Sequence, residues 1–107
     1  MNVMKKRSKN ELTEQEIFSI LREHSDVLKK ITVKKIGLFG SYVRGAQKRR
    51  SDVDFLVVFE QPTFDNFMEL VFSLEKYLGK KVDLVTEGSL SPYIRPYVEK
   101  EVKWHEV

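Results

Sequence analysis

The stretch from Val53 to Thr86 limits the possible folds more than any other part of the chain. Val53–Phe59 is apolar except for Asp54, and it reads as a strand. Gln61-Pro62-Thr63 marks a turn. Apolar residues then recur at 64, 67, 68, 71, 74 and 78, a helical spacing, and Gly79 follows the last turn. Lys81–Thr86 is a further strand-like run. Strand, helix and strand in this order form a crossover, which makes the two strands parallel. The rest of the chain must be built around that unit.

Upstream, Thr13 and Glu16 have the spacing of a capping box, so a helix is expected to start there. Ile17, Ile20, Leu21, Leu28 and Ile31 then follow one helical face. Val33–Phe39 reads as a strand ended by Gly40, and Tyr42–Gln47 as a short helix. The connection from Ser41 to Ser51 is 11 residues, short for a parallel crossover, so an antiparallel first strand is expected. Downstream, Ser91-Pro92 reads as a helix entry with Pro92 at its first position, and the chain after Val102 fits no single pattern. The expected architecture is one α/β (α+β) domain over residues 13–107. It is a small mixed sheet of about three to four strands flanked by helices, after a frayed arm over residues 1–12.

Composition removes several chemistries. The chain has no cysteine and two histidines, His24 and His105, so disulfides, thiolate catalysis, Cys-based zinc sites and multi-His metal sites are excluded. No apolar run approaches the ~20 residues of a membrane span. The charged start does not resemble a secretory signal, so a cytoplasmic protein is expected. Nineteen Lys and Arg against 16 Asp and Glu leave a net charge of +3. That is too little to argue for nucleic acid, and direct nucleic-acid binding is not expected.

The aspartates carry the functional argument. Of five, Asp26 and Asp65 fall where helices tolerate them. Asp52, Asp54 and Asp83 fall in or beside apolar strands, where a carboxylate is costly unless paired or metal-bound. Asp52 and Asp54 are two apart and share a face. With parallel strands, Asp83 lies at the same sheet end, and an antiparallel first strand brings Gly40-Ser41 there as well. Each part alone has a commoner structural reading: a solvated strand edge, a plain turn, or a pairing of Asp83 with Lys80 or Lys81. Together they suit a few-carboxylate Mg²⁺ site that shares its ion with substrate phosphates beside a turn whose backbone can approach them. That points to metal-assisted phosphoryl or nucleotidyl transfer.

Gly40-Ser41-Tyr42-Val43-Arg44-Gly45, then Ser51-Asp52-Val53-Asp54 and later Asp83, resembles the DNA polymerase β-like nucleotidyltransferase superfamily, and within it the minimal nucleotidyltransferases, or MNT proteins. The resemblance spans about Ile17 to Val102 and implies a nucleotidyltransferase fold. It implies that Asp52 and Asp54 hold two Mg²⁺ ions. Asp83 would be the third carboxylate, on the catalytic ion, and could take the acceptor proton. Gly40 and Ser41 would cradle the β- and γ-phosphates of a nucleoside triphosphate, ATP by expectation. Arg44 would either neutralise triphosphate charge or pair with a carboxylate of the site. The implied partner is a HEPN-domain toxin, with this chain as antitoxin transferring AMP to a hydroxyl of that toxin, a tyrosine in some relatives. Only 24 residues follow Asp83, too few for an acceptor-binding domain, so a partner is expected to supply the acceptor. The alternative is an antitoxin that neutralises its toxin by binding alone.

Other residues read more plainly. Lys48-Arg49-Arg50 is a solvated basic loop or an attractor for an anionic partner. Tyr93 and Tyr97 are expected in core packing first and in an interface second. Trp104 makes the tail a candidate docking surface. His24 is expected at the surface or at a boundary, and His105 has no assignable role.

Overall fold

The computed structural model describes residues 12–107. The arm expected over residues 1–12 therefore lies outside the described residues, except for Leu12, which is buried against the core.

A capping box opens helix α1 (Glu14–Glu23): Glu16 N donates to Thr13 Oγ1 at 3.2 Å, and Thr13 N donates to Glu16 Oε1 at 3.0 Å. The single long helix expected here is broken at His24, whose ring stacks on Tyr77 at 3.5 Å. The short helix α2 (Ser25–Lys30) continues beyond it. Five of the six residues between Leu21 and Leu28 are polar, Val27 being the exception, so the apolar stripe that would favour a straight axis is interrupted there. Strand β1 (Val33–Phe39) leads through Gly40 into α3 (Ser41–Arg44), which is shorter than the expected Tyr42–Gln47 helix because Gly45 turns left-handed. Strand β2 (Val53–Phe59), helix α4 (Phe64–Leu78) and strand β3 (Val82–Thr86) form the crossover. β2 and β3 are parallel, whereas β1 is antiparallel to β2.

Two differences lie in the last quarter. Ser91-Pro92 opens a turn, and helix α5 begins later, at Arg95 (Arg95–Glu101), with Pro96 in its first turn. Ser91 favours the turn because its Oγ accepts Tyr93 N at 3.1 Å. After Val102 the chain forms strand β4 (Lys103–Glu106), antiparallel to β1. The four-stranded mixed sheet has the order β3-β2-β1-β4.

Alternation along the strands gives two apolar layers. One face carries Val33, Ile36, Leu38, Val53, Phe55 and Val57, packed on Ile17, Leu21 and Leu28 of the N-terminal helices and on Leu70, Leu74 and Leu78 of α4. Leu56 belongs to the other face, under Leu90 and Val98, with Val102 and Trp104 beside them. Side chains two apart on a strand share a face, so Asp54 lies on the α5 side of β2 with Leu56. Trp104 is thus a packing residue, with Lys35 Nζ 4.2 Å above its ring. Tyr93 and Tyr97 are not core: they are 86% and 75% exposed.

Candidate active site

The topology brings the expected residues together at one end of the sheet. Asp54 and Asp83 are direct partners across the parallel β2–β3 pair, a separation of about 4.8 Å between neighbouring strands. Phe39, the residue before Gly40, is the partner of Asp54 across the antiparallel pair. Two pairings, Phe39 with Asp54 and Asp54 with Asp83, therefore fix the Gly40 turn, Asp54 and Asp83 in a row, and Asp52 precedes β2 on the same side.

Gly40 is required by its surroundings. Its φ of 81° belongs to the region that favours glycine, and a Cβ added there would fall on Asp54 Oδ2. The turn and the carboxylate consequently touch through bare backbone. The Ser41 hydroxyl, at the start of α3, makes no hydrogen bond among the described residues. Tyr42 anchors that helix by burying its ring, and its hydroxyl is enclosed without a hydrogen-bond partner. Burial raises the Tyr42 pKa, and the charge of Asp52 adds to the shift.

The three carboxylates differ in environment. Asp52 and Asp83 are exposed, and Asp54 is half-buried. Burial, followed by the charges of Asp83 and Asp52, pushes the Asp54 pKa up from 3.8 to about 6; Arg44 opposes the shift. Asp83 pairs with neither Lys80 nor Lys81 in the described residues, and Lys80 Nζ instead donates to the Arg49 carbonyl at 2.6 Å. Among the described residues, no group of three or more His, Cys, Asp or Glu is gathered closely enough to hold an ion unaided. The donor chemistry nevertheless fits Mg²⁺, which takes one or two carboxylates and completes its shell with water and substrate phosphates. A cation between Asp54 and Asp83 would also relieve the crowding that raises the Asp54 pKa.

Arg44 is engaged with a carboxylate, though not with one of the three aspartates. Its Nη1 donates to Glu101 Oε1 at 3.0 Å and to Oε2 at 3.1 Å. Glu101, the last residue of α5, also accepts the Gly40 N–H at 2.7 Å. Glu101 is not legible in the sequence, because nothing in a lone glutamate near a helix end marks a partner some sixty residues away. Beside the carboxylates, Arg49, Arg50, Lys80 and Lys81 line a groove of about 540 Å³ that reaches Asp52, so the basic loop borders the site.

Residues 19–105 match the nucleotidyltransferase domain family. The chain is 50% identical over 93 residues to the protein adenylyltransferase MntA of Thermococcus cleftensis, covering 85% of this chain and 94% of that one. It is 46% identical over 95 residues to a protein of Methanocaldococcus jannaschii provisionally named a protein adenylyltransferase, covering 84% and 95%. Among solved structures, a toxin–antitoxin complex with AMP-PNP aligns at TM-score 0.62 and 32% identity, over 87% of this chain and 72% of that chain.

Proposed function

Because the chain belongs to the nucleotidyltransferase domain family, we propose that it is the antitoxin of a toxin–antitoxin pair and transfers AMP from ATP to a hydroxyl, a tyrosine by preference, of a HEPN-domain partner. One observation carries this reading. A half-buried aspartate is registered against a second one on the next strand and touches a glycine turn through bare backbone. A structural carboxylate would be paired or solvated, and Asp54 is neither fully. A protein that only masks its partner has no use for this arrangement.

Asp52, Asp54 and Asp83 would hold Mg²⁺, which would supply charge neutralisation at the transferred phosphoryl group and at the leaving pyrophosphate. The chain's own groups do the rest. The Gly40-Ser41 turn lets phosphate oxygens approach the backbone, and the unengaged Ser41 hydroxyl donates to one of them. Asp83, exposed at the rim, would accept the proton of an incoming hydroxyl. No His or Cys is needed, since positioning and charge neutralisation supply most of the rate in such transfers.

The names and complexes of the relatives support the choice of nucleotide and partner: an adenylyltransferase at 50% identity, and a toxin–antitoxin structure with AMP-PNP. Among the described residues no helix is long and apolar enough to cross a membrane. The test is to incubate the protein with Mg²⁺, ATP and a candidate HEPN-domain partner, and to weigh that partner by mass spectrometry. A gain of one or more adenylate masses is expected, and Asp54→Asn should abolish it. An unmodified partner that both wild type and Asp54→Asn inhibit equally would establish neutralisation by binding alone.

A further inference from the structure

Glu101 joins the end of the chain to the turn on which nucleotide binding depends. Its Oε2 accepts the Gly40 N–H at 2.7 Å, and both its oxygens take Arg44 Nη1. These contacts span 61 and 57 residues of sequence. They are charge-assisted, and such bonds are roughly twice as strong as neutral ones. Helix α3 is otherwise held by the buried Tyr42 ring. It is one turn long, and no side chain caps it. Both of Glu101's ligands belong to this segment: Gly40 is the N-cap and Arg44 is the last helical residue.

The anchor itself is held firmly. Val102 N donates to Val98 O at 2.8 Å, which closes α5 directly after Glu101. The next residues form β4, paired to β1 from Leu38 back to Lys35. Gly40 is two residues beyond Leu38. The chain thus runs from β1 into the turn, while the partner of β1 runs out of Glu101, and the carboxylate closes the loop between them. The Glu101 side chain is only 23% exposed. A carboxylate meant to leave when phosphate arrives would be expected on a mobile, exposed segment. Here it projects from the framework.

We propose that Glu101 is a positioning residue, which locks the Gly40–Arg44 segment from the C-terminal helix so that the Ser41 hydroxyl and Arg44 are preset for the triphosphate. The proposal rests on the nucleotidyl-transfer reading for its consequence, but not for the lock itself. With Glu101 absent, Gly40 loses its acceptor and Arg44 its orientation. The turn then samples arrangements that cannot receive phosphate, and apparent affinity falls with the fraction of competent turns.

The test compares Glu101→Ala and Glu101→Gln with wild type in two measurements. The first is amide hydrogen exchange over residues 40–44, which needs no activity. Glu101→Ala should raise exchange there at least tenfold while leaving protection in β2 and α4 intact. Glu101→Gln should restore part of it, because the amide oxygen can still accept the Gly40 N–H. The second is calorimetric binding of Mg-ATP together with the rate of AMP transfer. Glu101→Ala should weaken nucleotide binding about tenfold, with Glu101→Gln in between. Unchanged exchange at residues 40–44 would overturn the proposal. Tighter nucleotide binding in Glu101→Ala would overturn it too, by showing that the carboxylate competes with phosphate. If wild type itself transfers nothing, the functional reading fails, while loosening of the turn in Glu101→Ala still establishes the lock.

Discussion

At Asp54 a single side chain is held against its own ionisation. Its pKa, raised to about 6, exceeds the value near 3.9 of an unfolded aspartate. Between those values the native state binds more protons than the unfolded state, so stability falls as pH rises through the window. Above pH 6 the whole cost remains; below about pH 4 it is gone. Asparagine at this position cannot ionise. The stability of Asp54→Asn relative to wild type should therefore increase from pH 4 to pH 6 and level off above it. Urea unfolding in the presence of a chelator, repeated at four pH values, measures this directly. A difference independent of pH would show that Asp54 is relieved by some other group. The same substitution is expected to abolish transfer, so stability and activity would move in opposite directions at one residue, as expected where a site stores unfavourable charge.

Elements whose identity depends on local pattern were legible in the sequence, and those that depend on distant pairing were not. β1, β2 and α4 begin and end where apolar periodicity and turn residues place them. Their connections then forced Asp54, Asp83 and Gly40 to one sheet end. β4 gave no such signal, because Lys-Trp-His-Glu has one aromatic, and its strand character comes from pairing with β1. Glu101 was hidden for the same reason. The geometry around Gly37 shows how closely β4 is fitted. A Cβ there would run into Val102 Cγ2 and lie 3.0 Å from Trp104 Cε3, so the indole packs across a bare stretch of β1. Trp104 is half-buried in that position, with Lys35 over its ring. Trp104→Ala should cost about 2 kcal/mol, less than the 3–5 of a fully buried aromatic. Denaturant midpoints would read the loss. A change within 0.5 kcal/mol, typical of surface substitutions, would return Trp104 to the role of a free docking residue.

At the scale of the whole molecule, the proposed site gathers like charge that bound ligands would have to offset. The sheet places three carboxylates at one end, yet no metal cage is closed among the described residues. Two of the three are exposed, and the third is disposed to hold its proton near pH 6. Mg²⁺ gives up its water reluctantly and is held best when substrate phosphates supply further oxygens. The nucleotide meets the reverse problem, since its phosphates must approach an acidic sheet end. Each ligand removes the obstacle to the other, so their binding should be coupled, and the coupling must be reciprocal. Calorimetry at pH 7.5 should show weak Mg²⁺ binding alone and weak ATP binding in chelator. Together, each should bind at least tenfold more tightly than alone, about 1.4 kcal/mol of coupling. The double variant Asp52→Asn, Asp54→Asn should lose that coupling. Its ATP affinity in chelator should stay the same or improve, because two repelling charges have been removed. If the variant binds Mg-ATP as wild type does, the carboxylates do not hold the ion. If wild type binds Mg²⁺ tightly without nucleotide, the carboxylates close into a cage of their own, and the row of Gly40, Asp54 and Asp83 is more rigidly preset than their exposure indicates.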